Sequence, residues 1–454
     1  MTMTYQNIFR TLTVVVAALA LSTSCSFEQD EYFSESASLR VTHQNEQIKN
    51  QLVAESAEGK NGWVIQYFVA GTDDYDFEGF NLFGKFFDNG MVTLASDHKF
   101  LRNGNANKYT EHTSTYDMLS EEGTVLSFNT WNDILTVFVD PVDPSKAPSQ
   151  LVQNGEGMYG DHNLVLKKKS DNELLFYGER HMAITRMIPC DRPWKDYIAD
   201  TKAMKNRIAT TTLSSYYVVN DNDTMYFKDL NKGLFTYCER LVDPLKRKTL
   251  KCVFTPNGFR LEHADTLCGS SFQEFAIDND TTCLLNEDGK VKVIACWDRY
   301  MLNRTDIWDL DATQFTAAQQ SLFNQINTEI KKYNNGWSLK SVGLGKSTSG
   351  GAVNGLVLTF YVNAAKTKTN TAGVEMKLAR QKYGQFLLSM DEKPVNDKNM
   401  DAIIKKASEI LPLATQFAAT YVGTYDVTPN NYFLPTGGKF TSTEGGLTFD
   451  CKKQ

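Results

Sequence analysis

The chain has 454 residues, room for two to four compact units at roughly 100–200 residues each, and its 41% hydrophobic content is enough for ordinary cores. A formal net charge of −7, which six histidines barely alter, argues against the clustered Lys/Arg footprint of a nucleic-acid-binding protein. Twenty-seven Phe and twenty Tyr, set in short Thr/Val/Phe/Tyr runs, favour sheet over helix.

The amino-terminal segment reads as a targeting signal. Arg10 precedes an apolar run from Leu12 to Leu21, too short to span a bilayer at about 20 residues, and the small residues Ser22-Thr23-Ser24 precede Cys25. Residues 1–24 are therefore expected to be removed as a signal peptide. The layout resembles a lipobox, with Leu21 one place further from the cysteine than usual, and so Cys25 is the expected lipidation site. Acidic residues Glu28, Asp30 and Glu31 follow it, and residues 25–42 read as an acidic flexible tether.

Past the tether, Ile48, Leu52 and Ala57 fall near helical spacing, with Thr42 as cap and Gly59 as terminator. Asn61-Gly62-Trp63 then leads into the strand Val64–Phe68. From Ser114 to Arg180 the chain reads as a β-meander, including a strand-length run at Ile134–Val139, with turn chemistry at Glu121-Glu122-Gly123, Asn132-Asp133, Asp140-Pro141 and Ser170-Asp171-Asn172. A second helix is expected from Asp191, with Pro193 in its first turn and Tyr197, Thr201, Met204 and Ile208 on one face. Short strands follow, among them a hairpin of Thr281–Leu285 with Val291–Ala295 turning at Asp288-Gly289.

The order helix, Asn-Gly-Trp, strand returns later. Leu322, Ile326, Ile330 and Tyr333 form a stripe ahead of Asn335-Gly336-Trp337, which suggests a duplicated unit. One more helix is expected through Met400, Ile403, Ala407 and Ile410, stopped by Pro412, and short strands near Tyr432–Leu434 and Leu447–Phe449 close the chain. The reading is an α+β, predominantly antiparallel β protein of two or three helix-plus-β-meander units. Its units are an amino-terminal domain over 43–190, a middle β-rich domain over 191–310, and a carboxy-terminal α+β domain over 311–454, possible repeat of the first.

The succession Asn61-Gly62-Trp63, Ser114-Thr115-Tyr116, Leu126–Asn132, Asp140-Pro141, Gly160-Asp161, Gly258-Phe259-Arg260-Leu261 and Gln273-Glu274-Phe275 resembles the Bacteroidota lipoprotein family catalogued as domain-of-unknown-function family 4302. The chain departs from it at His162, where an aromatic is expected, and at Trp131, where Tyr is common. The resemblance implies a cell-envelope lipoprotein, in a family often encoded beside starch-utilisation-type outer-membrane uptake systems and a zinc metallopeptidase. It implies no activity and no catalytic residues.

Catalytic chemistry has little to work with. The six histidines are dispersed, with no pair one helical turn apart and no Cys-x-x-Cys, so no metal site and no cofactor is expected. A Gly-x-Ser-x-Gly nucleophile elbow is missing, and no catalytic residue is assigned. Asn220–Thr224 and Asp278–Thr281 are oxygen-rich but lack the spacing of a calcium loop and read as turns. In an exported chain Cys238 with Cys252, and Cys283 with Cys296, are candidate disulfides across hairpins, against the alternative of buried thiols.

Aromatic side chains are the most suggestive binding material, because an indole face covers apolar sugar C–H groups while polar neighbours bond hydroxyls. Trp131 and Trp194, with Asp140 and Asp161 at the edges of the meander, are the candidate ligand-binding residues. The expectation is a non-enzymatic outer-membrane lipoprotein, exposed at the cell surface and held to the membrane by its lipid. It would bind a glycan or peptide, or assist outer-membrane uptake proteins. The alternatives are a hydrolase with a carboxylate-lined cleft and a structural or adhesive envelope protein.

Overall fold

A computed structural model describes residues 35–71, 77–121, 123–140, 158–210, 213, 215–221, 223–238, 247–267, 269–279, 282–301, 306–348 and 351–454. The expected leader, Cys25, and the tether up to residue 34 lie outside the described residues. The fold is α+β and predominantly antiparallel β, built on three sheets.

The first unit opens with helix α1 (Ala37–Glu55), capped by Ser36, whose hydroxyl accepts from the Leu39 N–H at 3.3 Å. The helix therefore starts inside the stretch expected to be tether, and Thr42 sits within it, bonded back to the Ser38 carbonyl. Ile48 and Leu52 are its buried stripe. Nine strands follow: β1 (Trp63–Phe68), β2 (Phe80–Phe86), β3 (Met91–Ser96), β4 (Thr110–Thr115), β5 (Asp117–Ser120), β6 (Thr124–Ser127), β7 (Asn163–Ser170), β8 (Glu173–Gly178) and β9 (Ile184–Pro189). Their spatial order is β4-β3-β2-β1-β9-β8-β7-β6-β5. The two edges are thus consecutive in the chain, separated by buried Tyr116, so the sheet rolls until its edges are the two halves of one bent strand. The expected strand at Ile134–Val139 is instead a turn and the short helix α2 (Thr136–Val139). Asn132 explains the difference: its side chain accepts from the Ile134 N–H at 3.0 Å and its backbone N–H donates to Thr136 Oγ1 at 2.9 Å, closing a turn that sends Phe138 into the core.

Helix α3 (Trp194–Ile208) joins this sheet to the next. It starts after Pro193, which holds the N-cap position and has no side-chain acceptor, while Asp191, two places earlier, turns both oxygens to Arg192. The second sheet is a closed eight-stranded barrel of β10 (Ser215–Val219), β11 (Thr224–Lys228), β12 (Leu234–Cys238), β13 (Arg247–Thr255), β14 (Gly258–Leu267), β15 (Ser270–Ile277), β16 (Leu284–Asn286) and β17 (Lys292–Ala295), with β17 returning to β10. Alternate residues such as Tyr216, Val218, Phe235, Phe254, Phe259 and Phe275 fill it, as a narrow barrel requires.

After α4 (Trp297–Met301), the third unit contains β18 (Ile307–Leu310), α5 (Ala317–Tyr333), β19 (Ser338–Lys346), β20 (Asn354–Tyr361), β21 (Thr369–Glu375), β22 (Lys377–Lys382) and β23 (Gln385–Ser389). Two helices, α6 (Lys398–Ile404) and α7 (Ile410–Ala419), precede β24 (Gly423–Pro429), β25 (Gly437–Ser442) and β26 (Thr448–Lys453). Strand order is β21-β20-β19-β18-β26-β25-β24-β23-β22, the same rolled arrangement as the first sheet, with buried Met376 at the bend in place of Tyr116. The helix is what differs: α1 precedes its sheet, whereas α5 lies between the first and second strands. The Asn-Gly-Trp match consequently falls one strand out of register with the shared sheet order. Pro412 does not stop a helix either. It lies in the first turn of α7, where its missing N–H leaves no intrahelical bond unmade. Tyr432–Leu434 is not a strand, and Phe433, 1% exposed, is packed with the barrel core.

Candidate functional site

The rolled first sheet meets the barrel where β2 approaches β13. The Gly79 N–H donates to the Cys252 carbonyl at 2.9 Å, Asn81 Nδ2 donates to the Phe254 carbonyl at 2.8 Å, and Lys251 Nζ reaches the carbonyls of Val69 and Ala70 at 2.8 Å each. Only glycine permits this approach, because a Cβ at residue 79 would lie 2.4 Å from the Phe68 ring. Beside this seam a cleft of about 680 Å³ opens, walled by the start of β2, the loop after β3, α3, and the turn between β11 and β12.

Its floor includes Phe80, Val253, Phe254 and Leu234, and its rim is charged. Glu78 accepts ion pairs from Lys99 at 2.8 Å and Lys205 at 3.4 Å, Asp97 pairs with Lys202, and Lys232 is drawn to Asp229 at 2.8 Å. Four lysines therefore face two lining carboxylates, on a chain whose net charge is negative. The lysine side chains are 36–64% exposed while Glu78 and Asp97 are under 20% exposed, so the carboxylates sit low and the ammonium groups ride outward. Such exposed pairs are worth about 0–1 kcal/mol, and an arriving anion can take over a lysine cheaply.

Three polar atoms on the lining residues lack a protein partner among the described residues: Asn81 Oδ1, His98 Nδ1 and Thr201 Oγ1. A buried polar atom left unbonded costs about 1–3 kcal/mol, and all three are closed off from solvent beneath the cleft lining. His98 Nε2 lies 3.0 Å from the Ile134 carbonyl and so carries the proton, leaving Nδ1 as an acceptor. Burial pushes the His98 pKa down to about 4, against smaller opposing contributions from the Ile134 bond, Asp97 and Glu78, and the ring is neutral at pH 7.

The ligand residues expected from sequence separate into two groups. Trp131, 47% exposed, and Asp140 are brought together by Arg102, whose guanidinium lies 5.5 Å from the indole centroid and 3.2 Å from Asp140 Oδ2. Asp161 is structural. It is 3% exposed and its carboxylate accepts backbone N–H groups of Arg180, His181 and Ala183 at 3.0–3.1 Å, closing the turn between β8 and β9. Trp194 is a wedge between α3 and the sheet, half-buried, 5.8 Å from the Phe83 ring and bonded through Nε1 to the Asn61 carbonyl at 2.6 Å.

The cysteine pairings Cys238–Cys252 and Cys283–Cys296 are not formed among the described residues. Register explains the first: Cys238 faces Arg247, while Cys252 lies five positions along and faces Leu261 on the other side. In the second hairpin Leu284 faces Val293, so Cys283 falls two positions short of Cys296, although both join one apolar cluster. Among the described residues no group of three or more His, Cys, Asp or Glu is placed to hold a metal ion. The cleft itself escaped sequence reading. Its one local signal is Lys202 and Lys205, three apart on a helix face, next to the buried stripe of Met204 and Ile208.

No curated protein matches the chain. Among solved structures, the DNA polymerase III subunit beta from Pseudomonas aeruginosa aligns at 8% identity over 91% of this chain and 98% of its own, with a TM-score of 0.13. A putative DNA polymerase III beta subunit from Eubacterium rectale ATCC 33656 aligns at 9% identity over 90% and 97%, also with a TM-score of 0.13. Superpositions that poor carry no structural argument. The profile of the domain of unknown function DUF4302 matches residues 29–279, which take in the first rolled sheet, α3 and the barrel through β15. Since that match covers more than half of the chain, the protein belongs to the DUF4302 family.

Proposed function

We propose that this chain is a lipid-anchored binding protein of the outer membrane, facing outward, which captures an acidic glycan or peptide in the cleft between the rolled sheet and the barrel for an uptake system. The observation that carries the reading is the cleft's composition: an apolar floor beneath a lysine rim in excess over its carboxylates. That combination suits a ligand with apolar faces, such as sugar C–H groups, and negative charge. The leader layout and Cys25 support the anchor, and the acidic residues after it support surface display.

Calorimetric titration with oligogalacturonate, chondroitin sulfate and poly-glutamate, against neutral maltohexaose, tests it. Acidic ligands should bind, weaken with salt, and lose at least about tenfold in the double variant Lys202→Glu/Lys205→Glu. Equal binding of acidic and neutral ligands, or none by any, would overturn it. Release of a Cys25→Ala variant from membranes tests the anchor separately.

Hydrolysis is the second reading, favoured only by Glu78 and Asp97 lining one cleft. Both hold lysines in ion pairs. Product formation from any of these polymers, lost in Glu78→Gln, would replace the binding reading.

A further inference from the structure

We propose that Trp131 is the floor of a second subsite, which stacks a neutral sugar ring of the same ligand, so that the ligand is an oligosaccharide with its acidic group in the cleft. The inference rests on the cleft reading for the acidic end alone. Trp131 is the most exposed indole among the described residues, yet it is held in place. Its Nε1–H donates to Asp133 Oδ1 at 2.6 Å, the other Asp133 oxygen lies 2.9 Å from His112 Nδ1, and Arg102 packs over the ring while bound to Asp140. The Trp131 N–H, and less strongly His112, hold the Asp133 carboxyl below the usual carboxylate range. An immobilised indole loses little freedom on binding, which favours it as a contact surface.

The surroundings select the occupant. A lipid would want a wide apolar patch, whereas this indole is ringed by a guanidinium and two carboxylates. A pyranose offers an apolar C–H face to the indole and hydroxyls to Asp133, Asp140 and Arg102. The carboxylates disfavour an acidic sugar at this position, which places the acid elsewhere on the chain.

Continuity with the cleft supplies the link. One loop carries Asp97, His98 and Lys99 on the cleft wall and then Arg102 at the indole. Lys99 and Arg102 are three positions apart, so their Cα atoms are at most about 11 Å apart, within reach of a short oligosaccharide.

The test uses hexasaccharides of hyaluronan and unsulfated chondroitin, in which a neutral N-acetylhexosamine alternates with glucuronic acid, against hexagalacturonate, which has no neutral ring, with galacturonic and glucuronic acid as monomers. It reads dissociation constants and iodide quenching of tryptophan fluorescence. At least one of the two alternating hexasaccharides should shield Trp131 from iodide, and hexagalacturonate should not. Trp131→Ala should weaken that hexasaccharide about tenfold and leave monomer affinity unchanged, with Trp131→Tyr restoring most of the loss. If no hexasaccharide shields Trp131, or Trp131→Ala binds like the parent, the proposal is overturned. If Trp131→Ala weakens binding while Lys202→Glu/Lys205→Glu does not, the indole subsite stands and the cleft reading falls. The reverse pattern keeps the cleft and removes the subsite.

Discussion

The barrel is joined to a rolled sheet on each side, and the two joints are made of different material. Toward the third sheet the joint is aromatic and buried. Tyr217 packs against Tyr383 at 4.9 Å, Trp297 donates to the Tyr383 hydroxyl at 2.7 Å, and Phe433 enters the barrel core. Among the described residues its ion pair, Arg380 Nε to Asp298 Oδ2 at 2.6 Å, has a carboxylate with 0% exposure. Toward the first sheet the joint is a narrow seam in which Gly79, Asn81 and Lys251 donate to backbone carbonyls beside the small cluster of Phe68, Ile184 and Val253, flanked by an open lysine-rimmed cleft. Aromatic packing of that kind stabilises, whereas exposed lysine pairs are weakly held and open to an arriving anion, which is the basis of the binding proposal.

The contrast can be broken most forcefully at the aromatic joint. Asp298→Ala strands the Arg380 charge in a half-buried site and should cost about 3 kcal/mol, and Phe433→Ala a similar 3–5 kcal/mol through a cavity in the barrel. Chemical denaturation measures both, and neither should alter ligand affinity at the other joint.

His98 comes next, as an acid-sensitive element of the cleft wall. Its folded pKa of about 4 lies below the ordinary 6.5, so between those values the unfolded chain takes a proton that the folded one refuses. Stability is full above about pH 6.5 and falls by about 3 kcal/mol as pH drops toward 4. His98→Gln should flatten that limb in denaturation curves at stepped pH.

Gly79→Ala should cost about 1–3 kcal/mol by forcing the seam apart, and it should weaken ligand binding because the cleft shares that seam. The smallest stability effect belongs to Lys202→Glu/Lys205→Glu. These exposed ion pairs contribute about 0–1 kcal/mol each, so the melting temperature should barely move while affinity for acidic ligands collapses.

The β-rich class and the family were legible because they rest on local patterns: alternating runs, Gly and Asp turns, and motif order. Locality also set the limit. Ile134–Val139 has strand composition, but the Asn132 side chain outcompetes the ladder for its N–H groups. Met400–Leu411 has one helical stripe, yet Pro412 opens a helix because it falls in a first turn. Trp131 and Asp140 were visible as residue types; Arg102, which joins them, was not, since nothing nearby in sequence marks it. The cleft draws on Glu78, Lys99, Lys205 and Phe254, whose convergence depends on two sheets meeting, and no periodicity reports that.

The most direct test is hydrogen–deuterium exchange of the whole protein with and without a bound acidic oligosaccharide. The account predicts slowed exchange at residues 78–81, 97–102 and 197–205, with the barrel's joint to the third sheet unchanged. Protection confined to the third unit, or spread evenly over the chain, would contradict it.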